Sequence, residues 1–289
     1  YSAILTTDAK VYYVPFNLDT MVMYYVPEKF EAAGLKAPAT WDDVAAAAEA
    51  GLKGGWSWGN ASWLGFQGIL KQAGGDWYAA DCSASTINSE AGLAALEFYT
   101  KLYDDFGFPA EQASVADGLA SGTVDYVFSG EWEATGINAA HPEMEGKWEM
   151  ATLPAGPTGS FNAFIGGKGM GIFSYSKNVD AAFEFMVYLG TEEAQKALTE
   201  LSLANANSIH VPAQPAFYSF IKGGDNVRDA LSKQLTDASG PSNCAGWEES
   251  NAQIDLALQS VLFEGKDFAD ALAEMEEILN AGLKEYGSK

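Results

Sequence analysis

Residues 239–261 read SGPSNCAGWEESNAQIDLALQSV, a stretch that combines an aromatic residue in a polar loop with the start of a helical pattern. A polar, glycine-rich loop leads to Trp247, and a helical pattern follows at once, with Ile254, Leu258 and Val261 at helical spacing. Core tryptophans usually lie within apolar runs, whereas this one lies between a glycine and a glutamate. Two interpretations are open: part of the ring is offered to a molecule outside the fold, or the ring covers the end of its own helix.

Composition excludes several classes of partner. The chain has 289 residues, of which 48% are hydrophobic and 19% charged, and this length predicts about two globular domains. Its net charge of -23 comes from 39 acidic and 16 basic side chains. Nucleic acids and anionic membranes are recognised through clusters of Lys and Arg. We therefore expect a neutral or cationic partner and no nucleic acid.

The cysteines and histidines do not indicate a metal or a catalytic centre. Cys82 and Cys244 are too few and too far apart for a metal site or a redox motif, and they are either free thiols or one long-range disulfide. His141 and His210 lie in no ligand spacing. No metal, no cofactor and no Ser-His-Asp nucleophile is expected.

The first hundred residues combine strand and helix signals. Residues 10–26 predict two short extended segments punctuated by Pro15, Asn17 and Asp19, which places Asp19 at a strand junction. Helices are then predicted from Pro27 to the glycine at 34, from the capping box of Thr40 and Asp43 to residue 50, over 61–73, and from a cap at 88 or 89 to 105, with a short hairpin over 77–87.

In the second half of the chain, residues 123–128, TVDYVF, alternate like a strand. Glu131 and Trp132 follow directly after its end. Ligands gather at strand ends in open α/β folds, so both residues are candidate site residues. Further helices are predicted from Asn178 through Leu189, from Thr191 onward, after Trp247, and over 267–286.

The run IGGKGMGIF at 165–173 contains glycines that need a separate explanation. Its spacing is GGxGxG rather than GxGxxG, and the residues that follow look extended, so no helix N-terminus is offered to a phosphate. We instead interpret Gly166 and Gly167 as positions where a crossover strand passes close to a bound molecule or to another lobe.

Several motifs in one order carry a family resemblance over essentially the whole chain. They are YYVPEKFEAAGLKAPATWDDV (24–44), GGDWY (74–78), ASGTVDYVFSGEW (120–132), MATLPAGP (150–157), the run from 165 to 198, and the Trp247 loop with its helix. In this order they resemble bacterial extracellular solute-binding proteins of the sugar-binding group. The most specific pieces are Thr40-Trp41-Asp42 and residues 176–195.

The resemblance implies a two-lobed α/β fold of the periplasmic-binding type, similar to class II. Each lobe is a sheet flanked by helices, and the ligand cleft lies between the lobes. We expect residues 1–18 and 164–213 in lobe 1, residues 19–163 in lobe 2, and C-terminal helices over 214–289 mainly in lobe 2. The first part of lobe 1 is expected to be absent from this chain. Hinges are expected near 17–20, 162–167 and 210–215.

Sugar binding fits the candidate residues. A pyranose has an apolar face that stacks on aromatic rings and a rim of hydroxyls that bonds to carboxylates and amides. Trp63, Trp132 and Trp247 are expected to supply faces, and Asp19, Asn60 and Glu131 to supply the rim. The resemblance places Asp19 on a ligand-binding acid and Trp132 and Trp247 on stacking aromatics.

The other tryptophans are interpreted differently. Trp41, Trp77 and Trp148 are predicted to be structural, and the role of Trp58 is left open.

The resulting hypothesis is a monomeric extracytoplasmic receptor, periplasmic or a lipoprotein, that delivers a carbohydrate, an oligosaccharide, to an ABC permease. It is not expected to be an enzyme. The alternative is a glycoside hydrolase, which needs two carboxyls about 5–5.5 Å or 6.5–9.5 Å apart, and only Asp19 and Glu131 are candidates. A further alternative is a binding protein for a non-sugar solute such as a polyamine.

Overall fold

The computed structural model describes residues 6–7, 10–111, 114–206 and 208–287. In chain order the strands are β1 (Thr6–Thr7), β2 (Lys10–Val11), β3 (Val14–Tyr25), β4 (Gly54–Trp56), β5 (Tyr126–Gly130), β6 (Glu149–Ala151), β7 (Ala163–Met170), β8 (Val211–Pro212) and β9 (Ala238–Ser239). The helices are α1 (Pro27–Ala32), α2 (Trp41–Glu49), α3 (Trp63–Gln72), α4 (Glu90–Asp104), α5 (Val115–Ser121), α6 (Ala134–Ala140), α7 (Val179–Leu189), α8 (Glu192–Ala206), α9 (Asp225–Gln234), α10 (Trp247–Glu264) and α11 (Phe268–Tyr286). Short 3-10 turns occupy Glu131–Glu133, Pro142–Met144 and Pro215–Phe220.

One sheet organises the molecule, in the order β4-β5-β3-β7-β9, with β6 and β8 also paired to β3. The pairs β4–β5 and β7–β9 are parallel, and the partners of β3 are antiparallel to it. Separately, β1 and β2 form a two-stranded ribbon.

The long strand β3 changes partners halfway along its length. Its first part, from Val14 to Thr20, pairs with β7 and at residues 17 and 18 also with β8, whereas its second part, from Met21 to Tyr25, pairs with β5 and β6. The prediction of two short extended segments here was therefore wrong. A shift of register between Pro15 and Asn17 absorbs the irregularity that proline introduces, so the strand continues through it.

Hydrophobic residues on the two faces of β3 belong to two different cores. Because neighbouring side chains of a strand point to opposite faces, Met21 and Met23 join one core with α3, α4, α10 and α11. Val22 and Tyr24 join the other core with α5, α6 and α9. Helices therefore cover both faces of the sheet.

The predicted caps of α2 and α4 are confirmed by side-chain hydrogen bonds, whereas Asn178, from which α7 was predicted to begin, precedes that helix without a capping hydrogen bond. The Thr40 side chain accepts from the backbone of Asp43, and the Asp43 carboxylate accepts from the backbone of Thr40, which completes the capping box of α2. Ser89 caps α4, and Asp267 caps α11. The hairpin predicted over 77–87 forms as a short antiparallel bridge between residues 78 and 85, flanked by backbone hydrogen bonds from residue 79 to 84 and from residue 86 to 77.

Helix α7 forms as predicted but contributes to neither core. Its sequence VDAAFEFMVYL is largely apolar, yet all of its side chains are half-buried or exposed. Phe183 and Phe185 are among the exposed large apolar residues of the chain.

Cys82 and Cys244 form a disulfide, which resolves the alternative left open by the sequence. The bond joins the loop that follows Trp77 to the loop that precedes α10, across 162 positions of sequence. Over the residues described, no helix combines the length and apolar character needed to cross a bilayer.

Candidate functional site

A small polar patch lies where β3 and β7 pair. Asp19 is opposite Gly166 and Asn17 is opposite Lys168, so these four residues share one face of the sheet. We call them the Asp19 patch. Phe164 is two residues before Gly166 and therefore lies on the same face. A Cβ placed on Gly166 would lie 3.2 Å from the Phe164 ring.

Hydrogen bonds within the Asp19 patch hold the carboxylate of Asp19 in place. The ammonium of Lys168 lies 2.9 Å from Oδ2 and 3.3 Å from Oδ1 of Asp19. The side-chain amide of Asn17 donates to Oδ1 at 3.1 Å. The carbonyl oxygen of the same amide accepts from the backbone N–H of Lys168 at 2.8 Å, just beyond the register shift of β3.

Glu131 lies beside this patch at the point where β5 ends. The last pair of β5 with β3 joins Gly130 to Met21, and the chain then enters a 3-10 turn. The backbone N–H of Thr20 is thereby left without a strand partner on that side, and the carboxylate of Glu131 accepts from it at 2.8 Å.

The environment of Glu131 strongly affects its protonation. The residue is only 1% exposed. Burial raises the pKa of its carboxyl to about 8, and the nearby Asp19 carboxylate acts in the same direction, whereas the hydrogen bond from Thr20 and the charge of Lys168 oppose the shift. Glu131 is therefore largely protonated at neutral pH.

Aromatic rings adjoin the polar patch. Trp58 packs against the edge of Trp132 with ring centroids 4.9 Å apart, and its centroid is 6.2 Å from that of Phe164. Trp63 contacts Phe164 from another side at 5.7 Å. All four rings are half-buried, so part of each contacts solvent.

Gly130 determines where Trp132 can lie. A Cβ on this glycine would fall within 2.3 Å of three atoms of the Trp132 ring. No other residue type could occupy position 130 with the indole in this place.

Trp247 corrects one expectation from the sequence. Its ring is 1% exposed and packs against Trp63, Trp77 and Tyr78, so no face of it is offered to solvent in this conformation. The residues around a tryptophan in sequence describe its loop, whereas its burial depends on distant rings that close over it. Trp247 supports Trp63 from behind, with ring centroids 5.1 Å apart.

Asn60 is also not brought to the patch. Its amide donates to the backbone carbonyl of Ala110 at 3.1 Å and so ties two loops together. Trp63 begins α3, where its backbone N–H donates to the Asp255 carboxylate of α10 at 2.6 Å. A carboxylate at a helix N-terminus is favourably placed relative to the helix dipole.

The three segments predicted as hinges lie side by side in the sheet. Asn17 pairs with Lys168 on one edge of β3 and with Pro212 on the other. Next to β8, burial lowers the pKa of His210 to about 4, and its ring stacks on Phe16 at 6.4 Å.

Of the residues predicted from the sequence, the structure brings together Asp19, Trp132 and Gly166, with Trp63 at the far side of Phe164. Glu131 lies beside them, but at 1% exposure it does not offer its carboxyl to a ligand in this conformation. Gly167 is opposite Leu18, which belongs to the other core. The site also contains Asn17, Lys168 and Phe164, which were not predicted from the sequence. The sequence held a signal for two of them. Phe164 and Lys168 lie two residues before and two residues after Gly166 in a predicted strand, and residues two apart in a strand line the same face.

Comparisons with known proteins agree with this architecture. A family described as bacterial extracellular solute-binding protein matches residues 1–216. A putative binding protein of Brucella abortus is 26% identical over 283 residues, which cover 92% of this chain and 66% of that protein. The lactose-binding protein of Rhizobium radiobacter is 30% identical over 215 residues, which cover 68% of this chain and 50% of that protein.

A solved structure shows the same fold. The sugar-binding protein MalE of Xanthomonas citri superimposes with a TM-score of 0.85 at 20% identity, over 98% of this chain and 73% of that one. The predicted fold class, a two-lobed α/β protein of the periplasmic-binding type, is thereby confirmed. The chain spans about two thirds of the length of the Brucella relative and half that of the lactose-binding protein.

Proposed function

Since this chain belongs to the family of bacterial extracellular solute-binding proteins, we propose that it binds a carbohydrate outside the cytoplasm and delivers it to an ABC permease. We further propose that the ligand is an oligosaccharide. The lactose-binding and sugar-binding relatives support the class of ligand.

One observation carries this proposal: half-buried aromatic rings border a polar patch on the strands that join the two halves of the sheet. Phe164, Trp58 and Trp132 can cover the apolar faces of sugar rings, while Asp19 and Lys168 can bond to hydroxyls. Several rings side by side suit a ligand of more than one sugar unit.

The charge balance of the site supports a neutral ligand. The Asp19 carboxylate is paired with Lys168, and Glu131 is mainly uncharged at neutral pH because its pKa is raised to about 8. The patch therefore carries little net charge. A polyamine would require several unpaired carboxylates, and the overall charge of -23 disfavours an anion.

We propose hinge closure as the mechanism. The lobes would be residues 1–18 with 164–213, and residues 19–163 with most of 214–289, joined near 17–20, 162–167 and 210–215. The change of partners in β3 after Thr20 supports a boundary at this point. A ligand that contacts both lobes stabilises the closed state by the difference between its affinities for the closed and open states.

A glycoside hydrolase is the second candidate, because Glu131 has the raised pKa of a general acid and Asp19 lies near enough to influence it. The burial of Glu131 argues against this role, because a general acid must reach the glycosidic oxygen and Glu131 is only 1% exposed. The homologous proteins are substrate-binding proteins rather than enzymes.

Calorimetric titration tests the proposal. The purified protein would be titrated with lactose, maltose, longer maltooligosaccharides and spermidine, and each sugar would be recovered and analysed by chromatography. Typical receptor affinity is micromolar, about 8 kcal/mol. Trp132→Ala should weaken binding about tenfold or more, whereas Trp148→Ala truncates a half-buried tryptophan in the other core and should leave affinity unchanged.

The outcomes separate the candidates. Binding of a sugar that is recovered intact, together with a fall in the radius of gyration on ligand addition, would support the receptor. Binding of spermidine alone would replace the sugar by a polyamine, and cleaved sugar would establish the hydrolase. No binding by any compound would reject the carbohydrate proposal.

A further inference from the structure

One position of the Asp19 patch carries no side chain. Three of its four positions carry polar side chains, and the fourth, directly opposite Asp19, is Gly166. The absence of a side chain leaves space next to the carboxylate, bordered by the Phe164 ring. Lys168 reaches Asp19 diagonally across this space, from a position two residues further along β7.

The ion pair between Asp19 and Lys168 retains unused hydrogen-bonding capacity. A carboxylate offers about four acceptor positions, and Asp19 uses them for one bond from Asn17 and two contacts from Lys168. A lysine ammonium has three donors, and in the described contacts Lys168 directs its donors only to Asp19. One acceptor and one donor are thus available side by side.

Both partners are accessible to a ligand. The side chain of Asp19 is 25% exposed and that of Lys168 is 66% exposed. An ion pair this exposed contributes little to folding. Stabilisation of the sheet therefore does not account for the ion pair. The side-chain amide of Asn17 orients the Asp19 carboxylate by donating a hydrogen bond to it.

We propose that Lys168 is a ligand-binding residue, and that Lys168 and Asp19 together bind one vicinal pair of hydroxyls on a sugar ring that lies over Gly166. A hydroxyl both donates and accepts, so one hydroxyl donates to Asp19 while its neighbour accepts from Lys168. The two protein atoms are 2.9 Å apart, a spacing that neighbouring hydroxyl oxygens on a ring can match. The configuration of that hydroxyl pair then becomes a determinant of specificity.

This inference rests on the proposed function and assigns the hydroxyl pair that the site recognises. It predicts a specific chemical coupling: removal of Lys168 and removal of one ligand hydroxyl should cost less together than the sum of the separate effects.

The test uses the purified protein, the sugar that binds best in the titration panel, and its monodeoxy analogues. For the wild type, loss of either hydroxyl of the recognised pair should raise the dissociation constant about 10-fold to 100-fold. Lys168→Met should raise the dissociation constant of the parent sugar by a similar factor. The same variant should bind the analogue that lacks the lysine-bonded hydroxyl about as well as the parent sugar.

Matched variants complete the experiment. Lys177→Met removes an exposed lysine from the loop before α7 and should leave all dissociation constants unchanged. Lys168→Arg keeps the charge, so it should retain part of the discrimination even if Lys168→Met folds poorly. A melting temperature measured for each variant shows whether it is folded.

Each outcome is decisive. Loss of discrimination at one hydroxyl in Lys168→Met, with discrimination retained in Lys177→Met, supports the inference. Unchanged affinity and unchanged discrimination in Lys168→Met and Lys168→Arg overturn it while the proposed function stands, and so does a wild type that ignores every deoxy substitution. A wild type that binds no sugar overturns the proposed function and this inference together.

Discussion

Glu131 completes a sheet that the backbone leaves unfinished. The chain turns away from β3 after Gly130, and the Glu131 side chain supplies the acceptor that a continued strand would have offered to Thr20. The hydrogen bond between this carboxyl and Thr20 also holds the start of the 3-10 turn, next to Trp132, against β3. One buried acid thus links the end of β5, the strand β3 and an aromatic ring of the site.

Replacing Glu131 by Gln tests the effect of its buried proton. In the folded state the Glu131 carboxyl keeps its proton up to a pH of about 8, whereas in the unfolded state it loses the proton near its ordinary pKa of about 4.3. The contribution of the wild-type residue to stability is therefore full below the unfolded pKa and is lost as pH rises toward 8. Glutamine keeps an acceptor for Thr20 and does not ionise. Relative to wild type, Glu131→Gln should gain stability between pH 5 and pH 8, on the order of 1–4 kcal/mol.

Urea unfolding at pH 5, 6.5 and 8 measures this difference. Glu97→Gln, at an exposed position of α4, serves as the control and should differ from wild type by a nearly constant amount. If the unfolding free energy changes with pH in the same way for Glu131→Gln and for wild type, the buried proton is refuted.

At the scale of elements, α2 shows how a capping motif sets a neighbouring contact. The Asp43 carboxylate accepts from the backbone N–H groups of Ala39 and Thr40 at 3.0 and 2.9 Å. The helix then begins at Trp41, whose ring stacks on Phe98 of α4 with centroids 4.0 Å apart. The cap therefore fixes the helix end from which that ring projects.

Asp43→Ala should destabilise the protein by about 0.5–2 kcal/mol, because orphan N–H groups at the helix start lose their acceptor. Asp42→Ala is the matched control, since it removes the same charge from the same helical turn and leaves the capping box intact. The free energy of unfolding in urea distinguishes the two. Equal losses in both variants would mean that the charge, rather than the cap, stabilises α2.

Strand β3 is the element that connects the halves of the molecule. Its residues alternate between two cores and its partners change after Thr20, so a single strand carries Asp19 to the place where β5, β7 and β8 approach one another. A strand shared in this way places Asp19 beside Lys168 of β7 and near Glu131 at the end of β5.

At the scale of the whole molecule, the Cys82–Cys244 disulfide joins parts of the chain that are distant in sequence. It closes a loop of 162 positions, and Cys244 packs against the core that contains Trp77 and Trp247. Disulfides persist in oxidising compartments, which agrees with membership of an extracellular family.

Removal of this disulfide should destabilise the protein by about 2–4 kcal/mol, because the unfolded chain regains the freedom that the cross-link removes. The measurement compares thermal unfolding of wild type with and without reductant. The Cys82→Ser, Cys244→Ser double variant should unfold at the temperature of the reduced wild type and should not respond to reductant. An unchanged wild-type midpoint on reduction would show that the cross-link does not contribute.

The sequence by itself determined most of the helices of this protein, its family resemblance and part of its site. The starts of α2, α4 and α11 were predictable because the bonds that cap a helix join residues within a few positions of one another. The placement of Glu131 and Trp132 after a strand end was equally local. Binding of sugar at these residues remains a prediction.

Only the tertiary structure decided which side chains meet. Lys168 pairs with Asp19 across 149 positions, and this contact depends on the register of two strands, which contacts along the whole sheet set together. The burial of Trp247 likewise depends on rings from α3 and from the loop at Trp77 that close over it. A residue's neighbours in sequence specify its backbone, whereas its exposure is the sum of contacts made by the complete fold.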